Sequence, residues 1–282
     1  MKGGPSAALP PIQGGALPLN QGGAVPRVGL GVFRASPDEA YAAVREALAA
    51  GYRHIDTAQI YGNEQAVGQA VRDSGLPREA VFVTTKLWND FQRPGAVEPA
   101  VHRSFQALGL GAPDLMLLHW PVVGQRLAAW AELERLRDAG ALRAIGVSNF
   151  MVRHLQELLA HARTVPAVNQ LELSPFLQQR EVRALCRTHG IVVQAYSPLT
   201  KGRRLDHPVL VRIAREMQRS PAQVMLRWGL QQGLVVLPKS TRPARIRENL
   251  TLSDFELAAG HMAALDELEE NLVTGWNPQL AP

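Results

Sequence analysis

Short apolar runs and longer amphipathic stretches alternate along almost the whole chain. Residues 28–33, 53–56, 81–86, 114–119, 142–149, 167–172, 191–196 and 234–239 are compact, mostly aliphatic or β-branched runs. Between them lie segments with apolar residues at helical spacing: 37–50, 63–74, 95–108, 126–139, one ending near 161, 178–189, 209–217 and 221–232. Two more helical segments, 243–250 and 255–271, close the chain. Two helix starts are marked by Ser, Pro and an acid or amide three residues on, Ser36-Pro37-Asp38-Glu39 and Ser220-Pro221-Ala222-Gln223. That spacing predicts a capping box with proline at the first helical position. Asn63 is expected to cap the next helix, with Glu64 in its positive first turn. Short apolar pieces around Gly22-Gly23 predict a small hairpin ahead of the first long run.

Continuous apolar strands joined by helices imply a parallel sheet buried on both faces. Eight such units in one chain predict an α/β fold, the closed (β/α)8 or TIM barrel, with an N-terminal β-hairpin and a C-terminal helix and tail. The rival is an open doubly wound sheet, which opens on a G-x-G-x-x-G turn. Here Gly29-Leu30-Gly31 is followed by Val32, Phe33 and Arg34, so that signature fails. Residues 1–16, rich in Gly, Pro and Ala, are expected to be a flexible tail, and residues 17–282 a single barrel domain.

Composition narrows the function classes. The chain has 282 residues, 46% of them hydrophobic, enough for one large core. Its one cysteine, Cys186, excludes a disulfide framework and a Cys-rich zinc site. No apolar run reaches membrane-spanning length, and the start lacks a basic segment followed by an apolar block. A cytoplasmic protein, monomeric and without a membrane partner, is the expectation. The net charge of +5 is spread along helices and interleaved with acids, as in Arg180-Glu181-Val182-Arg183. No basic run carries interleaved aromatics, so nucleic acid is not the expected partner.

Lysine usage is more telling. The chain has only Lys2, Lys86, Lys201 and Lys239, against a large excess of arginine. Each internal lysine therefore marks a position where a compact ammonium with a tunable pKa is wanted. In a barrel, catalytic groups come from the C-terminal strand ends. Those ends carry Asp56, Lys86, His119, Ser148-Asn149, Gln170, Tyr196-Ser197 and Lys239-Ser240. A lysine at the end of the third strand can lie beside Asp56 at the end of the second, with Tyr61 folded over both. A phenol has a reference pKa of about 10, and a neighbouring ammonium is expected to lower it. His119 can donate a hydrogen bond to a carbonyl oxygen, so the implied chemistry is proton donation to an oxyanion forming from a carbonyl. Taken singly, each has a structural reading: an ion pair, a core histidine, a packing aromatic. A metal is not expected, because Lys86 repels a cation and no second histidine falls on a strand end.

Several segments together resemble the aldo-keto reductase family. They are Gly51-Tyr52-Arg53-His54-Ile55-Asp56-Thr57-Ala58, Tyr61-Gly62-Asn63-Glu64, Thr85-Lys86-Leu87-Trp88 and Leu118-His119-Trp120-Pro121. Further along come Gly146-Val147-Ser148-Asn149-Phe150, Val168-Asn169-Gln170-Leu171-Glu172-Leu173, Pro238-Lys239-Ser240 and Arg245-Ile246-Arg247-Glu248-Asn249. The short connection after Trp120 and the Lys86-Leu87-Trp88-Asn89-Asp90 segment are similar to the bacterial branch that includes 2,5-diketogluconic acid reductases.

The resemblance implies a catalytic tetrad of Asp56, Tyr61, Lys86 and His119, and NADPH bound without a Rossmann fold. It assigns Ser148, Asn149 and Gln170 to the nicotinamide amide, Tyr196 to stacking on the ring, and Ser197 and Leu199 to the pyrophosphate. Lys239, Ser240, Arg242 and Arg245 match the adenosine 2′-phosphate site and Asn249 the adenine side. Cations near a helix start oppose the helix dipole unless they serve an anion, which agrees with that match. Phe33, Trp88 and Trp120 match apolar walls of the substrate pocket, with Trp276 in the tail covering it; core packing is the alternative for each. The implied activity is NADPH-dependent reduction of an aldehyde or ketone to an alcohol by hydride transfer, with Tyr61 as general acid and a small-molecule carbonyl as the partner. The alternative on the same scaffold is a redox-sensing regulatory subunit that binds NADPH with little turnover. Two departures stand out: Ser174-Pro175 where the family often has His, and an unmatched tail beyond Asn271.

Overall fold

The structure, a computed structural model, describes residues 15–280. Of the expected flexible tail, residues 1–14 lie outside the described residues, and Ala16 already belongs to a strand. Strands β1 (Ala16–Pro18) and β2 (Ala24–Pro26) form the predicted antiparallel hairpin. Its turn holds Gly22 and Gly23 at φ 95° and 73°, a left-handed conformation open to residues without a Cβ. Leu19 and Val25 pack on Leu115, Leu117, Val168, Val235 and Leu237. Gln21 bonds the backbone of Ile145 and Val165. The hairpin thereby covers the N-terminal opening of the barrel.

The eight barrel strands are β3 (Leu30–Gly31), β4 (His54–Asp56), β5 (Phe82–Leu87), β6 (Leu115–Leu118), β7 (Ile145–Ser148), β8 (Val168–Glu172), β9 (Val192–Tyr196) and β10 (Val235–Leu237). All pair in parallel, each with its neighbour in sequence. The ring closes through the bridges Val28–Val236 and Gly31–Lys239. Around it run α1 (Pro37–Ala50), α2 (Glu64–Asp73), α3 (Val97–Leu108), α4 (Arg126–Asp138), α5 (Val152–His161) and α6 (Arg180–Thr188). They are followed by α7 (Pro208–Met217), α8 (Pro221–Gln231), α9 (Pro243–Leu250) and α10 (Ala259–Asp266). Both predicted capping boxes form, at Ser36 with Glu39 and at Ser220 with Gln223.

Register decides what faces the barrel interior. Side chains alternate along a strand, so His54 and Asp56 share one face of β4, and Thr84 and Lys86 one face of β5. Asp56 aligns with Thr84. Inside the ring, His54 Nε2 meets Thr84 Oγ1 at 3.1 Å, and one step higher Lys86 meets Asp56. Outside, the strands pack on the helices through two large apolar clusters. At one place the helices nearly touch: a Cβ on Gly68 of α2 would lie 1.8 Å from the Leu108 carbonyl oxygen of α3.

Two expectations are corrected. Asn63 stands at the N-cap position of α2, but its side chain makes no capping hydrogen bond. Its amide donates to the Val32 and Ala35 carbonyls at 3.0 and 3.1 Å and accepts from Thr57 Oγ1 at 2.8 Å, tying the β3 and β4 loops together. The last helix covers only Ala259–Asp266 rather than 255–271. The Asp266 carbonyl is taken by Gln178 and Arg180, and the Glu270 and Leu272 amides bond the Phe176 carbonyl instead of continuing a helix. Among the described residues no helix is long and apolar enough to cross a membrane, and no cluster of His, Cys, Asp or Glu could hold a metal ion.

Candidate active site

Three members of the expected tetrad sit where the fold ends a strand, and the fourth lies on the loop after β4. Asp56 closes β4, Lys86 is the penultimate residue of β5, and His119 follows β6. Tyr61 closes a single 3-10 turn, Gln59–Tyr61, ended by Gly62 at φ 68°. Gln59 pins that turn: its Nε2 donates to Ala100 O and Ser104 Oγ, and its Oε1 accepts from the Trp88 amide at 2.9 Å.

Lys86 is completely buried, and Nζ donates to Asp56 Oδ1 at 2.6 Å, Thr57 O at 2.8 Å and Tyr61 Oη at 3.4 Å. A compact ammonium serves three acceptors in different directions, which a planar guanidinium cannot do in the same space. That is why a lysine stands here in an arginine-rich chain. The second oxygen of Asp56 accepts from Gln170 Nε2 at 2.7 Å, and the same amide nitrogen donates to Gln194 Oε1 at 2.9 Å. Gln170 therefore keeps its own oxygen to accept a further donor. The His119 ring meets Tyr61 edge-on at 5.8 Å and Trp88 at 5.2 Å.

The electrostatics differ from the sequence expectation in one respect. Tyr61 is not made acidic: burial, reinforced by the Asp56 charge, holds its phenol well above the usual range. Burial likewise lowers Lys86, opposed by Asp56 and by Glu64, and the 2.6 Å contact keeps the two an ion pair. Burial and then the Lys86 charge hold His119 well below the usual imidazole range. At neutral pH the site thus presents a neutral phenol with a proton to give and a neutral imidazole with one N–H. The ammonium lies within reach of the oxygen that becomes negative when the proton leaves.

Of the four aromatics expected in the substrate pocket, two touch the tetrad and two touch each other. Phe33 meets Tyr61 at a tilt, ring centres 5.0 Å apart, Trp88 meets His119 edge-on, and Trp276 meets Trp120 at a tilt at 5.8 Å. On the other side, Ser148 Oγ donates to the Gln170 carbonyl, and Asn149 Nδ2 donates to the His119 carbonyl at 3.0 Å. Tyr196 Oη donates to Asn149 Oδ1 at 2.9 Å. Ser197, at φ 47°, and Leu199 lie in the loop after β9. Lys239 follows β10, and Ser240 accepts from the Arg242 amide at the start of α9, which also carries Arg245 and the buried Asn249. Lys239, Arg242 and Arg245 are exposed and form no ion pair among the described residues, whereas Arg247 on the same helix pairs with Glu46 at 2.7 Å.

Sequence reasoning gave no role to Gln194 or Thr57, which complete the polar layer around Asp56 and Lys86. Gln194 carried a signal, an amide inside the otherwise apolar run Val192-Val193-Gln194-Ala195. Thr57 acts through its carbonyl, and no side-chain pattern reports that.

The Aldo/keto reductase family profile matches residues 27–270. The chain belongs to the aldo/keto reductase family. Its members are oxidoreductases acting on carbonyl groups, and the eight-stranded barrel with polar strand ends is their scaffold. The chain is 48% identical over 257 residues to a 9,11-endoperoxide prostaglandin H2 reductase of Trypanosoma cruzi, covering 90% of this chain and 91% of that protein. It is 45% identical over 254 residues to a glyoxal reductase of Bacillus subtilis, covering 90% and 92%. Among solved structures, an aldo/keto reductase from Brucella melitensis superposes with a TM-score of 0.87 at 42% identity, covering 90% of this chain and 99% of that one.

Proposed function

We propose that this aldo/keto reductase reduces small aldehydes or ketones to alcohols with NADPH, and that Tyr61 delivers the proton. The observation that carries this reading is the contact of Lys86 Nζ with both Asp56 and the Tyr61 hydroxyl, beside a neutral His119. Reduction adds a hydride to the carbonyl carbon and a proton to its oxygen, and a bound reduced nicotinamide supplies the hydride. The His119 N–H orients the carbonyl oxygen and polarises it. Tyr61 Oη gives its proton to that oxygen as charge develops there, and Lys86 Nζ stabilises the phenolate left behind. In this reading Phe33, Trp88, Trp120 and Trp276 form the apolar side of the substrate site.

The donor set fits the coenzyme. Ser148, Asn149 and the free oxygen of Gln170 cluster beside Asp56 and offer both donors and acceptors to a carboxamide, with the Tyr196 ring next to them. The unpaired Lys239, Arg242 and Arg245, with the positive start of α9, suit a phosphate monoester dianion. That favours NADPH over NADH. The small dicarbonyl named for the Bacillus relative makes methylglyoxal a suitable first substrate. NADPH oxidation with methylglyoxal and aryl aldehydes tests the reading, with Tyr61→Phe as the control. Turnover should vanish in the variant while NADPH binding persists. NADPH binding without turnover in the wild-type chain would instead establish a cofactor-sensing protein.

A further inference from the structure

After α10 the chain does not leave the barrel. Its last segment returns across the C-terminal mouth. Glu270 and Leu272 bond the Phe176 carbonyl at 3.2 and 3.0 Å. Glu172, the last residue of β8, then takes hold of the next turn. One of its oxygens accepts from the Thr274 amide at 2.9 Å and from the Thr274 hydroxyl, the other from the Gly275 amide at 3.2 Å. Lys201 Nζ donates to the Thr274 carbonyl at 2.8 Å. A Cβ built on Gly275 would stand 3.6 Å from Glu172 Oε2 and 3.8 Å from Lys201 Nζ, so both charged groups come close to that residue. The next residue is Trp276, set against Trp120.

We propose that Glu172 and Lys201 form a clasp that fixes Trp276 over the substrate pocket, making both of them positioning residues for selection among carbonyl substrates. The inference deepens the reading above and rests on it for the identity of the pocket. Three observations carry it. Glu172 is only 3% exposed, yet it forms no ion pair within bonding distance among the described residues. A buried carboxylate is held by hydrogen bonds to its charged form, and Thr274 and Gly275 of the tail supply all those found here. Trp276 is 70% exposed, so its own packing contributes little to its position. What places it is the anchored backbone immediately before it. Finally, Glu172 lies two residues past Gln170 and pairs in register with Tyr196, so the anchor stands on the strands that line the site. Lys201 belongs to the loop of Ser197 and Leu199, where Ser197, Thr200 and Lys201 all have positive φ (47°, 50° and 53°). The clasp therefore joins the substrate side of the mouth to the loop assigned to the coenzyme.

The test pairs hydrogen–deuterium exchange on the full chain with substrate kinetics. Glu172→Ala should speed exchange at Thr274 and Gly275. It should also lower the ratio of kcat/KM for a bulky aryl aldehyde over methylglyoxal by about fivefold or more. Glu172→Gln, which keeps one acceptor oxygen, should restore much of both. Lys201→Met, an exposed change that spares the fold, should move both readouts in the same direction if Glu172→Ala does not fold. Unchanged exchange at Thr274 and Gly275 would overturn the clasp whatever the enzyme's substrates. Faster exchange with an unchanged substrate ratio would overturn its role in selection. Failure of the wild-type chain to turn over any carbonyl would strike the proposed function instead, leaving the exchange result to judge the clasp alone.

Discussion

Replacing Lys86 by Met isolates the charge at the centre of the site, because Met fills nearly the same buried volume and lacks only the ammonium. Nζ lies 3.4 Å from Tyr61 Oη. A phenolate at that distance from a unit cation, at an effective dielectric constant of about 20, gains about 5 kcal/mol. Losing that stabilisation from the transition state corresponds to a fall in kcat of roughly three to four orders of magnitude. Folding suffers as well. Removing one member of a buried pair costs about 3–5 kcal/mol. The lower end is expected here, since Gln170 still holds Asp56 at 2.7 Å. Steady-state NADPH oxidation with saturating methylglyoxal gives the first quantity, and urea unfolding followed by circular dichroism gives the second. Lys86→Arg should recover little, because its fork cannot reach Asp56, Thr57 O and Tyr61 from the same buried position. A folded Lys86→Met protein with kcat within tenfold of wild type would refute the argument that the ammonium stabilises the phenolate.

Arg245→Ala should weaken NADPH by about tenfold, as one exposed charge-assisted contact is lost, and leave NADH unchanged; equal losses in fluorescence titrations would remove Arg245 from the 2′-phosphate site. His54, buried between Pro26 O and Thr84, is pushed down to about 4 mainly by burial. The unfolded chain takes up this proton near pH 6.5 and the folded one only near pH 4, so stability should fall as pH drops through that window, by about 3 kcal/mol in all; urea midpoints across it should flatten in His54→Asn. Gly68→Ala should destabilise by about 3 kcal/mol, the upper end for overpacking, because the new Cβ meets the Leu108 carbonyl rather than a movable side chain; calorimetry gives the shift in Tm.

What could be foreseen in the chain follows from what local sequence encodes. A strand buried on both faces must be apolar, so a polar residue at or next to its end, such as Asp56 or Lys86, announces itself, whereas Gln170, expected at a strand end, stands in the middle of β8. The capping boxes at Ser36 and Ser220 were equally legible, because their hydrogen bonds close within one turn. Asn63 was misread because the same amide that suits a cap also suits loop carbonyls brought near by the fold, Val32 O and Ala35 O. The final helix was overextended because Leu265 and Leu268 keep an apolar spacing, though residues beyond Asp266 pack on the barrel in a non-helical course. The direction of the Tyr61 shift was hidden for another reason. A neighbouring ammonium can be inferred from sequence, but the depth of burial that outweighs it cannot.

The hydrogen bond from Gln170 to Asp56 joins residues 114 positions apart. Loop-closure entropy must be met before such a contact gives anything back. Helices such as α1 and α2, by contrast, can form from neighbours in sequence. During refolding or synthesis, then, the acid of β4 waits for its second partner until β8 has been added and the ring is nearly complete. Helical signal should return well before activity does, and a chain stopped short of β8 would hold every member of the tetrad in order of sequence without having built the place where they work.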